Sequence, residues 1–141
     1  MTTPTSAGDN SQPGQESFDG QSLSVSLTVD DIRKSVAWYC DMLGFAIDQE
    51  FGPSDKPRAI WIKGGSVRIL IDQDNWAKGR DRVKGAGFSL QLTTGRSVDE
   101  IVRRIRDAGG VLETEPVDVW GQRVLRLHDP DGYLLVISSG K

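Results

Sequence analysis

SLSVSLTVDDIRKSVAWYCDMLGF, residues 22–45, changes its hydrophobic period once, and that change sets the architecture. Up to Val29 the apolar residues fall on alternate positions. Leu23, Val25, Leu27 and Val29 alternate with Ser22, Ser24, Ser26 and Thr28, as in a strand with one buried face. From there Ile32, Val36, Tyr39, Cys40 and Leu43 recur at helical spacing, with Asp30 read as the N-cap and Gly44 as the residue that closes the helix. Three strand-like stretches follow: FAIDQEF (45–51), RAIWIK (58–63) and SVRILID (66–72), the last two joined across Gly64 and Gly65. The unit is βαβββ.

The same order returns downstream. FSLQLT (88–93) alternates as a strand, and Ser97 with Glu100 has the spacing of a capping box. Val98, Ile101, Val102, Ile105 and Ala108 form a helical stripe that stops at Gly109 and Gly110. VLETEPVDVW (111–120), QRVLRLH (122–128) and YLLVIS (133–138) read as the closing strands, with Asp129-Pro130-Asp131-Gly132 as a tight turn. The step from Leu27 to Leu92 is 65 residues and that from Gly44 to Gly110 is 66, so the halves repeat one unit. The expected organisation is a disordered leader over residues 1–21 and a single domain over 22–141. Within it, repeat one spans 22–73, a charged, glycine-containing connector 74–87, and repeat two 88–139. The fold class expected is α+β: two βαβββ repeats forming a curled mixed sheet, with helices on one face and an open cup on the other.

Composition narrows the function. In 141 residues, 37% are hydrophobic and 26% charged, and no apolar run reaches the length that spans a bilayer, so no membrane partner is expected. A net charge of -3 offers no footprint for a phosphate backbone, so no nucleic acid is expected either. Cys40 is the single cysteine, which rules out an internal disulfide and reads as a buried thiol on the first helix. With no basic start and no apolar core of an export signal in residues 1–21, a cytoplasmic location is expected.

LTVDDIRKSVAWYCDMLGF (27–45) and WGQRVLRLHDPDGYLLVI (120–137) carry a resemblance. The first resembles the opening of the vicinal-oxygen-chelate superfamily of glyoxalases, bleomycin-resistance proteins and extradiol dioxygenases. The second resembles its closing pattern of a Trp-Gly strand, a DPDG turn and a last strand. In metal-using members of that family, the first and last strands of each module supply ligands, typically His or Glu. The resemblance places those positions at Ser24, Leu70, Ser89 and Val136. Two hydroxyls and two aliphatic side chains offer no anionic or imidazole donor, so no metal and no cofactor are expected.

Alternation puts Ser24, Ser26, Thr28, Arg68, Leu70 and Asp72 on the cup face of the first repeat, with Trp61 beside them. The second repeat adds Ser89, Gln91, Thr93, Val124, Arg126, His128, Leu134, Val136 and Ser138. The ligand-binding candidates are Ser24, Trp61, Arg68, Leu70, Ser89, Gln91, Trp120, Arg126 and Val136: hydrogen-bonding groups, two guanidinium groups for an anion, and aromatic walls. Pairing of each arginine with Asp72 or Glu113 is the plain structural reading. His128, the single histidine, reads as bonded to the DPDG turn or, with Asp72 and Arg126, as a catalytic candidate. The resemblance implies a metal-independent protein that sequesters a planar or cationic small molecule, as in antibiotic resistance of the bleomycin type, and that forms a homodimer. A metal-free lyase or isomerase is the alternative, and a structural or regulatory module the third reading.

Overall fold

The computed structural model describes residues 17–140; the expected leader lies outside the described residues as far as Glu16. The chain runs β1 (Val25–Val29), α1 (Ile32–Leu43), β2 (Ala46–Phe51), β3 (Ala59–Gly64) and β4 (Val67–Gln73). It continues through β5 (Ser89–Thr93), α2 (Val98–Asp107), β6 (Val117–Val119), β7 (Gln122–His128) and β8 (Leu134–Gly140). These strands form two four-stranded mixed sheets, ordered β1-β4-β3-β2 and β5-β8-β7-β6. In each, the first strand pairs in parallel with the last, which the crossover helix makes possible, and the other pairs are antiparallel. The repeats do not share a hydrogen-bonded ladder.

Register repeats as the sequence does: Leu27 stands opposite Ile71, and Leu92 opposite Ile137. Every second residue of each inner strand enters one core. Leu27, Val29, Ile60, Ile62, Ile69 and Ile71 meet α1 through Ile32, Val36 and Tyr39. Leu90, Leu125, Leu127, Leu135 and Ile137 meet α2 through Val98, Val102 and Ile105. The two helices also pack against each other, so the cluster is continuous across the repeats. Arg104 of α2 donates to the carbonyls of Cys40 and Asp41, satisfying the open end of α1. Gly44 follows in the left-handed region, at φ 81°, where a side chain would be strained.

Several expectations change. The N-cap of α1 is Asp31, whose carboxylate accepts from the Lys34 amide at 3.2 Å, whereas Asp30 is drawn to Lys84 at 2.6 Å. Leu23 is 96% exposed rather than in the core, because β1 begins only at Val25, opposite Ile69. Of residues 111–120 only three form a strand: Pro116 has no N–H for a ladder, and Glu113 turns to His128 instead. Cys40 is half-buried, and its partial burial raises its pKa.

The turn 129–132 has a larger role than reversing the chain. Asp129 is buried and accepts from the amides of Asp131 and Tyr133, both at 2.9 Å, and from the Tyr39 hydroxyl of α1 at 2.7 Å. Asp131 accepts from the Asp30 amide at 2.8 Å and from Ser35 at 3.2 Å, and the Tyr133 hydroxyl donates to the Thr28 carbonyl at 2.8 Å. The second repeat therefore grips the β1–α1 junction of the first. The bonds to Asp129 from Tyr39 and Tyr133 satisfy a carboxylate that burial would otherwise leave costly.

Candidate functional site

On the face of each sheet turned away from the helices, register groups the in-strand residues into rows. On the first sheet, Ser26, Leu70 and Trp61 form one row, and Thr28, Asp72 and Ala59 the next. Ser26 donates to Asp72 at 2.9 Å. Arg68 does not pair with Asp72; it meets Asp48 of β2 at 3.0 Å and lies over the Trp61 ring at 4.2 Å from its centroid. Arg68 thus already occupies the indole face that a guest would use. Ser24 precedes β1 and is exposed. Beyond Asp72 the sheet ends in a cleft of about 1080 Å³ lined by Arg33, Arg58, Asn75 and Trp76.

On the second sheet, Gln91, Val136 and Arg126 form one row, and Ser89, Leu134 and His128 the next. Gln91 donates to Ser89 at 3.1 Å. Val136 is buried between its neighbours, whereas the Arg126 side chain has no hydrogen-bond or ionic partner among the described residues. His128 is oriented. Its Nδ1 lies 2.8 and 2.9 Å from the two Glu113 carboxylate oxygens, and its amide donates to the same carboxylate at 3.1 Å. These bonds hold the Glu113 carboxyl below its ordinary pKa. His128 thus has the orienting partner that its isolation in sequence hides. It also borders a cavity of about 450 Å³ with Arg82, Lys84 and Asp131.

Trp120 stands apart from both rows. It occupies the tip of the β6–β7 hairpin, 98% exposed, and its φ of 47° and the 80° of Gly121 are the two positive values that a tight primed turn requires. Trp76, in the connector, has φ 63° and is flanked by Arg80 and Lys84, at 4.6 and 5.4 Å from its ring. Beneath it Asp74 accepts from the Trp76 amide at 2.8 Å and meets Lys84 and Arg82 at 3.1 and 3.2 Å, which hold its pKa at about 2.

A model of the Glyoxalase/Bleomycin resistance protein/Dioxygenase superfamily matches residues 21–137. The chain belongs to this superfamily. A curated relative, the uncharacterized protein YraH of Bacillus subtilis (strain 168), is 28% identical over 124 residues, covering 82% of this chain and 94% of YraH. Solved structures share the fold. A glyoxylase/bleomycin resistance protein/dioxygenase domain from Frankia sp. EAN1pec aligns with TM-score 0.69 at 22% identity, covering 89% of this chain and 94% of that one. TioX from Micromonospora sp. ML1 gives 0.66 at 20%, covering 86% and 97%, and a lactoylglutathione lyase from Agrobacterium tumefaciens 0.63 at 17%, covering 88% and 96%. The four positions to which the resemblance assigns metal ligands carry two hydroxyls and two aliphatic side chains. Ser24, Leu70, Ser89 and Val136 include no strong donor, and among the described residues no three of His, Cys, Asp and Glu are grouped to hold an ion.

Proposed function

We propose that the chain binds a small planar molecule without a metal, between the outer sheet faces of two paired copies. One observation carries this reading: Arg126 is an uncommitted guanidinium on a face that also offers the Gln91 amide, the Ser89 hydroxyl and the Val136 side chain. A guest with a flat apolar body and a hydrogen-bonding or anionic edge matches that set. The net charge of -3 would favour a cation at long range, but the charge left over on this face is positive. Each sheet offers only an open half-site, and pairing across a two-fold axis would close it.

Titration with planar cations of the bleomycin type and with planar anions, followed by tryptophan fluorescence in the presence of chelator, tests the reading. Saturable binding is expected, with Arg126→Ala weakening an anionic guest roughly tenfold or more through loss of a charge-assisted bond. Saturation that requires an added divalent metal, or its absence with every guest, would refute it. The Glu113–His128 pair favours a second reading, a metal-free lyase or isomerase. In it Nε2 of His128 moves the proton and Arg126, two residues along the same strand face, holds the developing negative charge. Turnover in chelator that is lost in His128→Asn and impaired in Glu113→Gln would select this reading over simple binding.

A further inference from the structure

The internal repeat gives the molecule two equivalent seams, and they are filled differently. At the first, Tyr133 and the turn 129–132 lie against the end of β1, with the bonds to Thr28 and Asp30 described above. The matching registers of β1 with β4 and β5 with β8 identify the counterparts at the second seam. Val67 stands in place of Tyr133, Thr93 in place of Thr28 and Gly95 in place of Asp30. The turn Gly64-Gly65-Ser66 stands in place of Asp129-Pro130-Asp131-Gly132, so neither carboxylate has a counterpart. A ring and a carboxylate that fill one seam are therefore missing from the other.

A cavity of about 540 Å³ occupies that place, with Phe45, Leu92 and Ile101 among its lining residues and Gly65, Gly95 and Arg96 at its polar end. A methyl group added at Gly65 or Gly95 would meet nothing within 4 Å. The Gly95 amide, whose counterpart Asp30 donates to Asp131, has no hydrogen-bond partner among the described residues, and neither has the Arg96 guanidinium. We propose that this second seam binds a small aromatic carboxylate. Its ring takes the place that Tyr133 takes in the first seam, and its carboxylate that of Asp131, against the Gly95 amide and Arg96. An apolar floor with one cation and one spare N–H at the rim suits such a molecule. The site touches the second sheet at Thr93 but does not include the Gln91, Val136 and Arg126 row, and does not depend on what that row binds.

The test is an amide-resolved NMR titration of the full chain with 4-hydroxyphenylacetate, with hexanoate as the ringless acid. Saturable shifts are expected at Val67, Leu92, Thr94 and Gly95, with weaker binding of hexanoate. Val67→Tyr, which rebuilds the first seam's filling, should abolish binding while the protein stays folded. Arg96→Ala should weaken it roughly tenfold, as loss of one charge-assisted bond implies. The absence of saturable shifts, or shifts confined to Gln91 and Arg126 on the outer face, would overturn the proposal. So would unchanged affinity in Arg96→Ala, which decides the matter alone if Val67→Tyr fails to fold.

Discussion

Asp74 and Asp129 are both nearly enclosed carboxylates, and they respond to acid in opposite senses. The Trp76 amide, Lys84 and Arg82 hold Asp74 at about 2, below its ordinary 3.8. Its contribution to stability is therefore complete above about 3.8 and is lost as pH falls through about 2. Thermal melts of Asp74→Asn against the parent should differ at pH 6 and converge near pH 2; a difference independent of pH would contradict this. Burial raises the pKa of Asp129 despite three hydrogen bonds, so its charge costs stability near neutrality, and that cost is relieved as pH falls through the raised value. Tyr39→Phe removes the donor from α1 and should cost about 1–3 kcal/mol by denaturant unfolding, since it strips a partner from a buried carboxylate. Of these partners the sequence shows little. Asp74 reads as the start of a charged connector, because its partners Trp76, Arg82 and Lys84 lie in an irregular stretch with no period to align them, and Asp129 reads as a turn residue, because its bond to Tyr39 spans 90 residues.

At the scale of elements, β1, α1 and the repeat are legible because one face of each is buried and burial imposes a period. Caps and tips are less so. Asp30 and Asp31 are adjacent, and alternation cannot choose between them; Lys84, far along the chain, decides by pairing with Asp30. Asp31→Ala should cost about 1 kcal/mol through the lost cap, with the change appearing in helix content as well as in melting temperature. Asp30→Ala should instead loosen the connector around Lys84 and leave the cap intact. Glu113 falls in a stretch that reads as strand, so nothing local announces its bond to His128. The outer-face rows, by contrast, follow from counting twos, and register places them as alternation requires. The hairpin tip carries its own test. Trp120 buries almost nothing and holds a left-handed backbone that suits Asn before Gly, so Trp120→Asn should stabilise by about 1 kcal/mol. If the same change weakens guest binding, the ring is kept for recognition.

For the whole molecule, a dimer is the outcome the proposed function leads us to expect, and the edge strands, β1 and β2 in the first sheet and β5 and β6 in the second, each remain unpaired on one side. Light scattering at micromolar concentration should give twice the chain mass, and a monomer at every accessible concentration would contradict it. The order of strands in the second sheet also bears on synthesis. β8 is the last strand of its repeat to leave the ribosome, yet it lies inside the sheet between β5 and β7, just after the turn that grips α1. The first sheet has all its strands once Gln73 has emerged, whereas β5, α2, β6 and β7 must wait with apolar faces uncovered until β8 arrives. Nascent chains arrested before residue 134 should then display a protected first repeat and a protease-sensitive second one. Slow codons or a holding chaperone would matter most over that interval.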